Sequence, residues 1–307
     1  MRVLKAEIGE VNGLAFSPDG RALAAAVDQD VYLWNLESNG RPVRLDTTGS
    51  KAIRALYFTP DSRAVGWLGG TGWKVYDRSR KRAAQLQLDA GGNLAWIAQT
   101  PDGSRVVSEH TFPDPHPALT GWKSTDGGGW EQEWSVSMAD VAFHYTAVCP
   151  SGRRIATLAR GATKRVKWET PFRLELRSAV SGRVEATRPF PHHYACRLVF
   201  SPDGSQLVGV HDMTLMVWPV PGLGEPRLVR NDSRQHFTAA AFHPSGRYLF
   251  ASSNDTSVQV FDTANWERAA RFTWKLGRLR CVAVSPDGML AAAGGDSGDV
   301  LVWDVDL

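Results

Sequence analysis

Apolar residues in this chain come in short runs separated by turn-forming residues, and no run keeps the period of a helix. Val11 to Ser17 reads as a first strand and Leu23 to Val27 as a second. Asp28-Gln29-Asp30 makes a tight connection to a third, Val31 to Trp34, and Arg41 to Thr47 supplies a polar fourth. The inner strands lack a clean apolar–polar alternation, which suits sheets covered on both faces. Ile53 to Thr59, Ala64 to Leu68, Trp73 to Tyr76 and Ala84 to Leu88 repeat the plan, and later third strands are expected at Thr214 to Trp218, Ser257 to Phe261 and Asp299 to Trp303. Two units carry extra residues between second and third strands. His110 to Ala118 separates Val106 to Ser108 from Leu119 to Trp122, and Arg160 to Pro171 separates Ile155 to Ala159 from Phe172 to Leu176.

A recurring turn sets the repeat. Its clearest copy is Phe16-Ser17-Pro18-Asp19-Gly20, and the set continues at Pro60, Pro101, Pro150, Pro202, Pro244 and Pro286, at intervals of 42, 41, 49, 52, 42 and 42 residues. Pro pre-sets φ, the following Asp or Ser bonds locally to the backbone, and Gly supplies a residue with φ > 0; the second copy has Ser62 in place of Gly. A period of roughly 40–45 residues with strand-like flanks marks a β-propeller. The chain ends after the third strand of the seventh unit, while Val3 to Ile8 is a spare strand at the other end. The N-terminus is therefore expected to complete the last blade and remove an open edge. The expected fold is all-β, a single seven-bladed propeller of four-stranded antiparallel blades. Blade bounds are about 9–48, 49–89, 90–137, 138–189, 190–231, 232–273, and 274–307 plus 2–8.

The pattern resembles the WD-repeat (WD40) β-propeller family. The resemblance rests on the seven turns and on the residues that end the third strands: Trp34, Tyr76, Trp122, Leu176, Trp218, Phe261 and Trp303. The naming dipeptide survives in full as Trp303-Asp304, and Tyr76-Asp77 and Phe261-Asp262 are near matches. Asp28, Asp212 and Asp255 stand six residues before the aromatic, where the resemblance implies an Asp in a hydrogen-bonded network inside the blade. The family's Gly-His pair is missing from every repeat. The network is expected to be incomplete, with Trp34, Trp122, Trp218 and Trp303 holding the blades by burial.

Composition narrows the function. A net charge of +3, from 35 basic and 32 acidic residues, is too balanced to argue for nucleic acid. No apolar stretch is long enough to span a membrane, and the charged start does not read as a signal peptide. Cys149, Cys196 and Cys281, odd in number and in separate repeats, fit a reducing cytoplasm, and Cys196 and Cys281, inside expected inner strands, read as packing residues. A cytoplasmic monomer without cofactor or metal is expected; dimerisation through an exposed Trp such as Trp266 is a third possibility. The basic run Arg78-Ser79-Arg80-Lys81-Arg82 reads as a solvated turn between third and fourth strands.

The sequence contains no Cys-x-x-Cys, His-Glu-x-x-His, phosphate-binding Gly loop or nucleophile elbow. His192-His193 on a strand would point to opposite faces. Eight residues before each turn proline, near the expected channel mouth, stand Glu10, Ala52, Asn93, Ala142, Tyr194, His236 and Arg278. One carboxylate and one His make a poor metal site. Tyr194, His236 and Arg278, with His192 and Arg234 nearby, instead look like a contact surface. The resemblance puts the two insertions on the same face, where Lys164, Arg165, Lys167 and Trp168 would grip an acidic or extended peptide. The expected function is a non-catalytic scaffold for a protein or peptide partner. The alternative is a metal-dependent propeller hydrolase or lyase, or a small-ligand binder, using the channel.

Overall fold

The computed structural model describes the chain except residues 7–8, 39, 46–52, 70–71, 87, 89–92, 112–117, 126–128, 138–140, 162–171, 191–196 and 307; for 93, 110–111, 137, 141–145 and 160–161 the backbone alone is described. The described residues form seven four-stranded antiparallel sheets, each built from consecutive strands except the last. Sheet 1 comprises Val11–Phe16, Ala22–Val27, Asp30–Asn35 and Val43–Leu45. Sheet 2 comprises Ala55–Phe58, Ala64–Gly69, Gly72–Asp77 and Arg82–Leu86. Sheet 3 comprises Asn93–Gln99, Arg105–Thr111, Ala118–Ser124 and Trp130–Ser137, and sheet 4 Val141–Val148, Arg154–Gly161, Phe172–Ser178 and Val184–Phe190. Sheet 5 comprises Arg197–Phe200, Gln206–His211, Thr214–Pro219 and Arg227–Arg230, and sheet 6 Phe237–Phe242, Tyr248–Ser253, Ser257–Asp262 and Glu267–Thr273. Sheet 7 takes Leu279–Val284, Leu290–Gly295 and Asp299–Asp304, and its fourth strand is the N-terminal Arg2–Lys5. Arg2 faces Val302 and Lys5 faces Asp299 in that pairing, so the expected closure of the last blade is present, on a strand that ends at Lys5. The fold is a seven-bladed β-propeller.

The residues group into two compact units: Met1–Leu86 with Val210–Leu215 and Val229–Leu307, and Gln87–Gly209 with Met216–Leu228. Within each, apolar side chains fill the space between successive sheets. In the first unit, Val11, Leu23, Trp34 and Val300 pack between sheets 7 and 1. Leu33, Phe58 and Trp67 pack between sheets 1 and 2, and Phe250, Leu279 and Trp303 between sheets 6 and 7. In the second, Leu158, Phe190, Leu207 and Trp218 join sheets 4 and 5, and Leu119, Trp134 and Ile155 join sheets 3 and 4. Both faces of an inner strand are thus covered, which is why Ala22–Val27 is buried at every position and shows no alternation.

The repeated turns are held by one more residue than sequence inspection assigned them. A hydroxyl before the proline (Ser17, Thr59, Thr100, Ser201, Ser285) donates to the Asp two residues on. It also accepts the backbone N–H that opens the second strand. These hydroxyl bonds, aided by a backbone N–H, hold the carboxyls of Asp61, Asp102, Asp203 and Asp287 below the ordinary range. Glycine serves twice in the turn. Gly204 lies at φ +70°, and a Cβ there would stand 2.6 Å from Cys149 Sγ of the preceding sheet. Ser62, the one exception, keeps φ at +59° and earns its place by accepting the Asp19 N–H of the neighbouring turn at 2.9 Å.

The third-strand tryptophans are buried, but their indole N–H groups fare unequally. Trp122 Nε1 donates to Ser108 Oγ at 2.8 Å. Trp218 and Trp303 have no acceptor for theirs. Ser108 stands two residues beyond Val106, the partner of Trp122; the same offset from Ala291, the partner of Trp303, reaches Ala293. Ala293→Ser is therefore expected to stabilise the fold by about 1 kcal/mol through the restored bond. A urea midpoint at or below that of wild type would refute the pairing.

Several expectations are adjusted. The second strands of sheets 3 and 4 run on to Thr111 and Gly161, which shortens both insertions; 112–117 and 162–171 lie outside the described residues. Trp266 is 8% exposed, so it offers no dimer contact; its backbone N–H bonds Asp262 O at 2.7 Å in a tight turn that folds the ring inward. In the basic run, Arg78 is not simply solvated: it donates to Ser62 O and lies over the Phe58 ring. Asp77 caps the backbone of Ser79 and Arg80, and Lys81 and Arg82 are exposed. Cys149 and Cys281 are buried free thiols, while Cys196 is outside the described residues.

Candidate functional site

The residues that precede first strands are clamped in a common way within the first unit. His236 O accepts the N–H of Asn254, and Asn254 Oδ1 lies 3.2 Å from the His236 N–H that donates to it. Glu10 O accepts the Asp28 N–H, and Asp28 Oδ1 accepts the Glu10 N–H at 2.9 Å. Arg278 O accepts the Asp296 N–H at 3.1 Å. In each case the partner sits in the connection between second and third strands, and in two of them a short Asn or Asp side chain caps the neighbouring backbone. The clamps fix the main chain and leave His236, Glu10 and Arg278 at the surface.

Asp212 organises the histidines. Its carboxylate lies 3.6 Å from His236 Nδ1 and 3.5 Å from His211 Nδ1, and its own φ is +47°. Arg234, at φ +57°, donates its N–H to Asn231 O at 3.0 Å. Asn231 is buried and holds this loop: Nδ2 donates to Gln235 O and Ser253 Oγ, and Oδ1 accepts from Ser233 N–H and Gln259 Nε2. A polar network thus exists inside sheet 6, built on Asn231 in the absence of a Gly-His pair. Asp255 adjoins it, accepting from Ser257 and from Arg271 at 3.0 Å.

Glu10 is not free to serve as a ligand or base. Arg280 bridges it, at 2.7 Å, to Asp296, at 2.5 Å, and the Asp296 contact with the second carboxylate pushes the guanidinium pKa up. Arg280 and Asp296 escaped sequence inspection: Arg278 precedes the strand that starts at Leu279, and the pairing with Leu290–Gly295 shifts register between Leu279 and Cys281, so no two-residue alternation marks Arg280. Among the described residues no group of three or more His, Cys, Asp or Glu could hold a metal ion. No helix among them is long and apolar enough to cross a membrane.

Of the expected contact surface, His236, Arg278 and Arg234 all belong to the first unit. Tyr194 and His192, together with Lys164, Arg165, Lys167 and Trp168, lie outside the described residues, as does Ala52. Asn93 and Ala142 sit on strands whose side chains at those positions are not described. Trp34, Trp122, Trp218 and Trp303 are buried; Asp28 and Asp212 are exposed and Asp255 is half-buried.

The family model for the WD domain, G-beta repeat, matches residues 1–35, 185–219, 229–262 and 271–304. Four WD40 repeats are thus matched within a β-propeller of seven four-stranded sheets. It is similar to the WD repeat-containing protein slp1 of Schizosaccharomyces pombe, 28% identical over 51% of this chain and 32% of that protein. Actin-interacting protein 1 of Caenorhabditis elegans is 23% identical over 72% of this chain and 37% of its own length. The human serine-threonine kinase receptor-associated protein is 31% identical over 21% of this chain and 19% of its own. The matches span roughly a third or less of most of these relatives' lengths.

Proposed function

We propose that this chain is a non-catalytic interaction scaffold that takes a protein or peptide partner on the surface around His236, Arg278 and Arg234. The observation that carries the reading is the clamped main chain beneath these exposed side chains: rigid backbone presents His and Arg groups at fixed positions without engaging them in chemistry. Among its relatives, one is named for interaction with actin and another for association with a kinase receptor, which supports a protein as partner. A catalytic reading finds less support, because Glu10, the one carboxylate among the strand-start residues, is occupied by Arg280.

The test is affinity capture from the native organism with wild type and with the double variant His236→Ala/Arg278→Ala. Both side chains are exposed, so the variant is expected to melt as wild type does and to lose the bound protein. Equal recovery by the two would sink the site.

A further inference from the structure

Within the first unit some arginines meet a carboxylate and others do not. Arg44, Arg271 and Arg280 each meet a carboxylate: Asp30, Asp255, and Glu10 with Asp296. The exposed Arg234 and Arg278, and the exposed Lys275 on the same loop as Arg278, make no ion pair among the described residues. The segments that carry them are tied together. Met213 O accepts the Asn231 N–H, and Arg234 N–H bonds Asn231 O. His236 is clamped to Asn254, and the Trp274 N–H reaches Thr256 O across the same connection. Asp212–Met213, Arg234–His236 and Lys275–Arg278 thus line one stretch of surface. On it Met213 is 42% exposed, one of few large apolar side chains so placed among the described residues.

We infer that this stretch binds an acidic, extended segment of a partner protein that also carries a large apolar side chain. The inference rests on the reading of this face as a protein-binding one and supplies the partner's chemistry. Three unpaired cations attract carboxylates, and His236, set against Asp212, adds a polar ring. Met213 is flexible and polarisable and accommodates an apolar anchor of any shape. A nucleic acid fits less well. Its phosphates are continuous, whereas the Asp212, Asp255, Asp296 and Glu10 carboxylates interrupt the cations here; a peptide can place its acids only where the cations stand.

The probe is a fluorescein-labelled peptide in which single glutamates are spaced by serines around one central leucine, followed by anisotropy against the full chain. Wild type is expected to bind, and to bind more weakly as salt rises. Lys275→Glu/Arg278→Glu is expected to weaken binding about tenfold or more, and Met213→Ser several-fold, while Lys81→Glu, on the turn between third and fourth strands of sheet 2, leaves it unchanged. All four positions are exposed, so the variants should keep the wild-type melting temperature. No binding by wild type, equal binding by the Lys275/Arg278 variant, or equal competition by single-stranded oligothymidine would overturn the inference. Should the peptide fail while His236→Ala/Arg278→Ala still loses the captured protein, the face stands and its acidic chemistry falls. Should the peptide bind as expected while that variant captures normally, the stretch binds acids but is not the face for the native partner.

Discussion

Trp303→Ala is expected to destabilise the fold by roughly 3–5 kcal/mol, a fifth or more of a total that is typically about 5–15 kcal/mol. The ring ends the third strand of sheet 7 and is 5% exposed. It packs against Phe250, Leu279 and Leu301, and its centroid lies 4.6 Å from that of Trp274 and 6.0 Å from that of Phe272. Truncation would leave a cavity walled by strands of two sheets, whose backbones are held in register by ladders and cannot collapse into it. The indole N–H makes no hydrogen bond, so nothing polar is lost. Burial alone carries the cost, and this predicts the companion result. Trp303→Phe keeps a ring in the site and relieves an unpaired donor, and should cost far less than the alanine change. Urea unfolding of the two variants checks both statements. An alanine variant that melts within a few degrees of wild type would refute the first, and a Phe variant as damaged as the Ala variant would refute the second.

The fold was legible because turn chemistry repeats and burial does not need to be guessed where strands are apolar throughout. The seven prolines set the period, and the missing last strand pointed to the N-terminus, where Arg2–Lys5 supplies it. Strand ends were less legible. Arg105–Thr111 and Arg154–Gly161 extend past the apolar core because backbone pairing continues through polar residues such as Glu109 and Arg160. Side-chain partnerships were largely hidden. No local pattern announces that Ser62 replaces glycine in order to accept a bond from another blade, or that Asn231 collects Gln259 from a strand 28 residues on. The strand-start positions of His236, Arg278 and Glu10 followed from the repeat count. That Arg280 would claim Glu10 could not follow from it, since the two meet only when sheet 7 packs on sheet 1.

Glu109 gives the second large effect, and its sign can be worked out. The residue lies on Arg105–Thr111 and is 3% exposed. Its carboxyl accepts the hydroxyl of Thr146 and forms no ion pair among the described residues; Thr146 in turn adjoins Thr157 across the first ladder of sheet 4. Burial pushes the Glu109 pKa up from 4.5 to about 7, and the single hydroxyl bond offsets this only in part. The folded state therefore binds this proton more tightly than the unfolded chain does. The residue's favourable contribution is complete below about pH 4.5 and is lost as pH rises through about 7. The rise from 4.5 to about 7 corresponds to about 3 kcal/mol. Glu109→Gln keeps the shape and an acceptor for Thr146 but has no proton to lose. Relative to wild type, the variant is expected to be similar in stability near pH 4.5 and to gain up to about 3 kcal/mol at pH 8. The turn carboxylates of Asp61, Asp102, Asp203 and Asp287 have depressed pKa values and lose their contribution only as pH falls below about 4, outside this window and equally in both proteins. Urea midpoints for the two proteins at pH 4.5 and pH 8 decide the matter: a difference between them that stays constant with pH would mean that Glu109 titrates in the fold as it does in the unfolded chain, and that its burial does not govern the pH response of the second unit.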